Sequence, residues 1–205
     1  MKSYCIKSGY VHRNEYVQYD NTPQTDKFQD EVYAAARQIC NQNNFEKIAD
    51  IGCGSAYKLI KYFRDKDFLG LELEPNLSYI KKKYPLFKFA LSDFDNPPAD
   101  NFDILICSDV IEHLLEPDEL IEFVKKINWK FLVLSTPDRE VIQNLQRGFG
   151  WDVEENGPPY NEHHVREWTS KEFYDYVSPH FKIIEHFCAP IQKECQIVIA
   201  TKHNK

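Results

Sequence analysis

The sequence lacks the features that mark a membrane, secreted or nucleic-acid-binding protein. No window approaches the roughly 18 apolar residues of a membrane-spanning helix, and no apolar segment follows Met1-Lys2-Ser3 as in a signal peptide. The 25 Lys and Arg are outnumbered by 32 Asp and Glu, for a net charge of −7, which disfavours a broad nucleic-acid surface. We therefore expect a soluble, cytoplasmic protein that binds a small molecule, with nucleic acid unlikely and no membrane insertion.

The sequence also contains no Cys-x-x-Cys pair, internal repeat or low-complexity tract. Its six cysteines are therefore expected to be free thiols, most of them buried, in a reducing compartment. A chain of 205 residues with 42% hydrophobic content suffices for one domain with a substantial core. We predict a single domain over 1–205, in which 1–25 form a polar arm that either folds over the ligand or extends along an edge.

A glycine turn near residue 50 is the most informative local feature. The apolar segment 47–51 runs into Gly52-Cys53-Gly54 and then into a helical pattern. Glycines there can take positive φ and let a ligand lie against the main chain at a helix N-terminus. Glu72 ends the next predicted strand about 20 residues later, where a carboxylate can accept ribose hydroxyl hydrogens. Asp93 follows a third strand and suits an exocyclic adenine amine, so a nucleoside cofactor is predicted.

These motifs resemble a known family. Asp50-x-Gly52-x-Gly54, Gly70-Leu71-Glu72, Ser92-Asp93 and the run 102–114 look like the successive motifs of class I S-adenosylmethionine-dependent methyltransferases over residues 26–201. The resemblance implies a Rossmann-like α/β fold: a mostly parallel seven-stranded sheet with an antiparallel last strand and helices on both faces. It also implies S-adenosylmethionine as cofactor, bound by Asp50, Gly52, Gly54, Glu72, Asp93 and Asp109. One departure is Ala56, where many members have a third glycine; the turn is expected to survive.

Hydrophobic periodicity supplies the predicted elements. Strands are predicted at 47–51, 68–72, 87–90, 103–107, 131–134, 181–187 and 196–201, and helices at 26–42, 56–64, 76–84, 117–127 and after Trp168. Lys58, in the first turn of its helix, is expected to be solvated. Residues 139–167 are predicted to be a long insertion on the substrate side, and their aromatic and histidine content favours a functional loop.

Two groups of titratable residues are candidates for the chemistry. Asp109, Glu112 and His113 follow the fourth strand, and His164 lies in the insertion beside His163. If the insertion folds back, His113 and one histidine of that pair meet above the methyl donor. His113 or His164 would then act as general base, or Asp109, Glu112, His113 and His164 would bind Mn²⁺ or Mg²⁺. A third alternative is structural, since a Glu-His pair at this place shapes the cofactor pocket in metal-free relatives.

Three further stretches suggest a subgroup. Segments 109–114, 135–139 and 157–168 together resemble methyltransferases of bacterial surface-polysaccharide (capsule) biosynthesis. That resemblance implies a sugar or nucleotide-sugar hydroxyl as acceptor, with Arg139 and Arg166 as candidate contacts to phosphate or carboxylate.

Two alternatives to that substrate remain. Asp109-x-x-Glu112-His113 and the run from His164 to Thr169 are similar to the metal site of small-RNA methyltransferases that modify the 3′-terminal ribose 2′-hydroxyl. Aspartate here replaces their first glutamate, and the acidic net charge counts against RNA. The remaining alternative is a non-catalytic, cofactor-binding regulatory subunit.

Overall fold

The computed structural model describes residues 2–14 and 28–203, and its strands form one seven-stranded sheet. The strands are β1 (Lys47–Ile51), β2 (Asp67–Glu72), β3 (Lys88–Leu91), β4 (Asn101–Ser108), β5 (Asn128–Pro137), β6 (Lys182–Cys188) and β7 (Cys195–Thr201). Their order is β3-β2-β1-β4-β5-β7-β6. Strands β1 to β5 pair in parallel, whereas β7 runs antiparallel to β5 and β6. The predicted fold class is thus confirmed.

Helices cover both faces of the sheet. They are α1 (Asp30–Asn43), α2 (Tyr57–Phe63), α3 (Asn76–Lys83), α4 (Pro117–Lys126), α5 (Arg139–Gly148) and α6 (Ser170–Val177), with a 3₁₀ turn at Ile111–His113. Buried side chains of α1, α2 and α3 form one core cluster, and those of α4 and α6 form the other. Strand β4 supplies both clusters and is fully buried from Ile104 to Cys107, as an apolar strand covered on two faces should be. None of the helices in the described residues is long and apolar enough to cross a membrane.

Two element predictions need correction. Helix α1 begins at Asp30, because Phe28 and Gln29 form a turn and Gln29 is left-handed at φ 63°; residues 26–27 lie outside the described part. The insertion is not a structureless loop, since α5 occupies its first third. The side chain of Asp138 caps α5 by accepting from the N–H groups of Glu140 and Val141 at 2.9 and 3.3 Å.

The N-terminal residues 2–14 lie against the insertion and α6. Tyr4 and Tyr10 are each only 8% exposed, and the backbone carbonyl of Tyr4 accepts a hydrogen bond from the buried Trp168 indole at 3.1 Å. The backbone N–H of Arg13 donates to the carbonyl of Val165 at 2.8 Å. The rest of the predicted arm, Met1 and 15–25, lies outside the described residues. All six cysteines are free, as predicted.

Candidate active site

A cavity of about 1170 Å³ opens at the carboxyl ends of the parallel strands. Its walls come from the ends of β1, β2 and β4, the start of α1, the 3₁₀ turn and residues 160–167. Ligands of open α/β sheets bind at this edge of the sheet. The residues predicted to bind cofactor or metal all line this cavity, with the exception of Asp50: Gly52, Gly54, Glu72, Asp93, Asp109, Glu112, His113 and His164.

The turn between β1 and α2 presents its main chain to the cavity. Gly52 and Gly54 have φ values of 73° and 54°. A Cβ at Gly52 would lie 2.5 Å from Cγ2 of Val110, so no side chain fits there. Ala56 is also left-handed, with φ 56°, at a cost of roughly 1–2 kcal/mol. The turn therefore forms without a third glycine, as expected.

Two carboxylates face the cavity from neighbouring strand ends. Oε2 of Glu72 accepts from the N–H of Gly54 at 2.6 Å, and Oε1 accepts from the N–H of Leu73 at 2.8 Å. Burial raises the pKa of Glu72, against the lowering effect of these two donors. Asp93 accepts from the side-chain amide of Asn96 at 2.7 Å. Glu72 thus connects the glycine turn to β2 directly.

Two buried charged residues flank the turn. Asp50 is fully buried and accepts from the Tyr33 hydroxyl at 2.8 Å, while its Oδ1 has no hydrogen-bond partner within the described chain. Burial raises the pKa of Asp50 to about 8, against the opposing effects of the Tyr33 hydroxyl and the Lys58 charge. Lys58 is only 5% exposed and lines the cavity. The expectation that it is solvated was wrong, because the first turn of α2 faces the cavity.

Glu112, His113 and His164 form a compact cluster, because the insertion does fold back over the end of β4. One ligand atom from each residue lies within 4.8 Å of the other two, and the imidazole centroids are 5.0 Å apart. The N–H of Val165 donates to the carbonyl of Glu112 at 2.8 Å, which fixes the insertion on the 3₁₀ turn. The cluster found among the described residues does not include Asp109, whose Oδ1 accepts from the Ser135 hydroxyl at 2.6 Å.

Each imidazole of the cluster is oriented through its Nδ1 atom. Nδ1 of His113 lies 2.9 Å from the carbonyl oxygen of His163, and Nδ1 of His164 lies 2.6 Å from Oε1 of Glu167. With Nδ1 donating, Nε2 carries the lone pair, which is the form that a metal ligand needs. The side-chain amide of Asn161 lies 3.0 Å from Nε2 of His164. Neither Glu167 nor Asn161 was predicted as a site residue from the sequence. The one available signal was that each lies three residues from His164, a spacing that allows a side-chain contact.

Electrostatics in the cluster favour a cation. Glu112 is fully buried; Oε2 accepts from the Thr136 hydroxyl at 3.1 Å, and Oε1 finds no hydrogen-bond partner among the described residues. Burial, with the Asp109 charge, raises the pKa of Glu112 well above its usual range. Burial and His164 lower the pKa of His113 to about 4, so this imidazole is neutral at pH 7. A buried carboxylate oxygen that accepts no hydrogen bond from the described residues and lies 3.9 Å from Nε2 of His113 fits an N/O-ligated divalent ion.

Arg139 and Arg166 do not reach the cavity, and their predicted role as phosphate or carboxylate contacts is contradicted. They are 2% and 3% exposed, and neither lines the cavity. Arg139 donates to both carboxylate oxygens of Glu172 at 2.9 and 2.7 Å. Arg166 donates to the carbonyls of Leu114 and Leu115 at 2.6 and 2.8 Å. Both guanidinium groups hold the insertion in place.

Several solved structures with the same fold are named as methyltransferases. The small RNA methyltransferase HEN1 is 20% identical with a TM-score of 0.65 over 93% of this chain, which spans only 27% of the HEN1 chain. The methyltransferase domain of bacterial CtHen1 is 18% identical with a TM-score of 0.62, over 84% of this chain and 98% of that one. An S-adenosylmethionine-dependent methyltransferase from Clostridium acetobutylicum ATCC 824 is 14% identical with a TM-score of 0.64, over 88% and 93%. At these identities the likeness supports the fold alone.

Family membership rests on the sequence. No curated protein matches the chain, but the family model described as "Methyltransferase domain" matches residues 22–182. That range includes the glycine turn, the acids at the strand ends and the Glu112 cluster. The chain therefore belongs to the methyltransferase domain family.

Proposed function

We propose that this methyltransferase modifies a hydroxyl of a sugar ring, assisted by a divalent metal ion, Mn²⁺ or Mg²⁺, held by Glu112, His113 and His164. The observation that carries the proposal is the buried cluster, in which three ligand atoms lie within 4.8 Å of one another and Oε1 of Glu112 has no hydrogen-bond partner among the described residues. The cluster lines the same cavity as the glycine turn. The methyl donor and the acceptor hydroxyl would thus bind next to each other in one cavity.

Residues at the ends of the strands would form the cofactor side of the cavity. S-adenosylmethionine supplies an electrophilic sulfonium methyl group. Glu72, beside the turn, offers its carboxylate to ribose hydroxyls, and Asp93 offers one to the adenine amine. Gly52 and Gly54 have no side chain, so the cofactor can approach the main chain closely. Asp109, whose Oδ1 accepts from the Ser135 hydroxyl at 2.6 Å, lines the same cavity.

On the acceptor side, metal assistance fits better than base catalysis by His113. A divalent ion in such a site lowers the pKa of a hydroxyl and orients it. His113, with its pKa lowered to about 4, is too weak a base to take a hydroxyl proton efficiently near neutral pH. Its Nδ1 is committed to the carbonyl of His163 at 2.9 Å, which suits a ligand held through Nε2. His164 is oriented in the same way by Glu167.

A sugar or nucleotide-sugar acceptor, as in polysaccharide biosynthesis, agrees with the charge of the cavity. Carboxylates line the cavity, including those of Glu116, Glu119 and Glu194, and a carboxylate can accept hydrogen bonds from sugar hydroxyls. A second candidate, the 3′-terminal ribose of RNA, is favoured by the structural neighbours named as small RNA or Hen1 methyltransferases. The net charge of −7 opposes a polyanionic substrate, so we place the sugar first.

The test is calorimetric titration of S-adenosylhomocysteine and Mn²⁺ into chelator-treated protein. We expect both to bind, and we expect His164→Ala to lose Mn²⁺ while keeping S-adenosylhomocysteine. His163→Ala is the matched control, since it removes a neighbouring imidazole but keeps the carbonyl that orients His113.

Transfer of labelled methyl groups is then measured on nucleotide-sugars and oligosaccharides, and on RNA ending in a ribose or a 2′-deoxyribose. Methylation confined to the ribose-ended RNA would replace the sugar proposal by the second candidate. Absence of Mn²⁺ binding would refute the metal site.

A further inference from the structure

Three aromatic side chains of the insertion lie exposed and next to one another, and one of them, Tyr160, lines the active-site cavity. Phe149, Trp151 and Tyr160 are 76%, 47% and 67% exposed. The ring centroids of Trp151 and Tyr160 are 4.9 Å apart, and those of Phe149 and Trp151 are 6.3 Å apart. We call these three residues the aromatic shelf. Adjacent large rings left in water are a common mark of a binding surface.

The shelf is continuous with the active site. Tyr160 lines both the main cavity and a second cavity of about 270 Å³, whose walls include Trp151. Ile142 and Glu167 are also shared by the two cavities. Glu167 in turn holds His164 at 2.6 Å. A molecule with one end at the Glu112 cluster therefore continues directly onto the shelf.

The loop that carries the shelf is held in place by hydrogen bonds within the chain. The N–H of Val11 donates to the carbonyl of Asn156 at 2.8 Å, and the guanidinium of Arg13 donates to the carbonyl of Pro159 at 2.7 Å. On the other side, the N–H of Trp151 donates to the carbonyl of Gln146 at 3.1 Å. A fixed surface loses little conformational entropy on binding.

The charges around the shelf select the ligand. Asp152, Glu154 and Glu162 are exposed on the same stretch of chain, and Lys7 is paired with Glu155 at 3.1 Å. Of the nearby arginines, Arg147 is exposed, whereas Arg139 lines the second cavity but is 2% exposed and is paired with Glu172. Carboxylates accept hydrogen bonds from hydroxyl groups but repel phosphates. Aromatic faces carry negative charge density that attracts the C–H groups of a sugar ring. A neutral chain of sugar rings satisfies both features, whereas RNA satisfies only the aromatic one.

We propose that the aromatic shelf binds the sugar rings next to the methylated one, so that the acceptor is a neutral oligosaccharide or polysaccharide rather than a single nucleotide-sugar. This inference rests on the proposed function and narrows its substrate class. The rings on the shelf supply binding, while the ring in the cavity presents its hydroxyl to the Glu112 cluster. Affinity should accordingly grow with chain length.

Tryptophan fluorescence gives a direct test, because Trp151 is the exposed member of the three tryptophans; Trp129 and Trp168 are 4% and 0% exposed. The probes are hexasaccharides of glucose, mannose and N-acetylglucosamine, the corresponding monosaccharides, and decauridylate at physiological salt. We expect at least one hexasaccharide to protect the fluorescence from acrylamide quenching, while its monosaccharide and decauridylate do not. No protection by any hexasaccharide overturns the proposal, and protection by decauridylate alone assigns the shelf to RNA bases.

Variants check where the saccharide binds. By calorimetry, Trp151→Ala and Tyr160→Ala should each weaken the effective hexasaccharide by about tenfold. Tyr174→Ala, an exposed tyrosine on α6 that is 46% exposed and lines neither cavity, should not. S-adenosylhomocysteine and Mn²⁺ titrations on the same preparations separate the two proposals. If S-adenosylhomocysteine and Mn²⁺ bind and no hexasaccharide does, the shelf inference fails alone. If a hexasaccharide binds and Mn²⁺ does not, the metal proposal fails alone.

Discussion

Glu112→Gln gives the sharpest test of the metal site, because one substitution should change stability in opposite directions with and without metal. The side chain is fully buried, and burial with the Asp109 charge raises its pKa well above the usual range. Glutamine keeps the shape and removes the charge. The metal-free variant is therefore expected to be more stable than the parent, by about 1–3 kcal/mol.

The metal-bound comparison should show the reverse. A ligand at one hundred times its dissociation constant stabilises the native state by about 2.7 kcal/mol. For a chain of 205 residues, that corresponds to a rise in melting temperature of about 5–10 °C. The parent should show this rise with Mn²⁺, whereas Glu112→Gln should show almost none.

Differential scanning calorimetry with Mn²⁺ and with chelator measures both effects. The matched control is Glu119→Gln, which makes the same change at an exposed residue of the same cavity and should keep the Mn²⁺ response. An equal Mn²⁺ response in Glu112→Gln and the parent would refute the ligand assignment. So would a parent whose melting temperature Mn²⁺ leaves unchanged.

Three further predictions address the rest of the structure. Glu72→Ala should weaken S-adenosylhomocysteine binding by about 1.5–3 kcal/mol in calorimetry, and unchanged affinity would contradict the cofactor placement. Burial raises the pKa of Asp50 from 3.8 to about 8, so the folded state holds this proton over a range where the unfolded chain has lost it. The free energy of unfolding should fall as pH rises from 6 to 8, by up to about 1.4 kcal/mol per pH unit. Urea unfolding of Asp50→Asn should show a weaker fall. If the variant and the parent have the same pH profile, Asp50 is not the source of the pH dependence. Arg139→Met should cost about 3–5 kcal/mol, because it leaves the Glu172 carboxylate without its bidentate partner, and Arg139→Met/Glu172→Met should recover part of that loss; no recovery would assign the cost to packing.

The sequence predicts most of the sheet because burial and hydrogen bonding of the strands leave a local pattern. The apolar run of β4 and the segment of β1 were located from their own residues. Strand β5 is longer than predicted, Asn128–Pro137, because Ser135 and Thr136 are polar yet pair with β7 and lie buried beside the active site. Local hydrophobicity does not reveal polar residues that a strand buries for a site.

Helix α5 was missed although signals for it exist. Asp138 is a good N-cap, and Val141, Ile142 and Leu145 have helical spacing. The glycines and prolines between residues 148 and 159 led to a loop prediction for the whole segment. The burial of Arg139 had no local signal at all, because its partner Glu172 lies 33 positions away.

The cluster itself depends on contacts between distant segments. Arg166 donates to the carbonyls of Leu114 and Leu115 at 2.6 and 2.8 Å, directly after His113, and so fixes the insertion to the 3₁₀ turn. Its guanidinium carbon lies 4.6 Å from the centroid of the Tyr4 ring, which brings the N-terminal segment into the same arrangement. The contacts of this arginine therefore hold His164 against Glu112 and His113. The two chain segments that carry these residues, the insertion and the 3₁₀ turn, are described only separately by sequence motifs. The insertion and residues 2–14 are structural parts of the candidate metal site rather than additions to a complete domain.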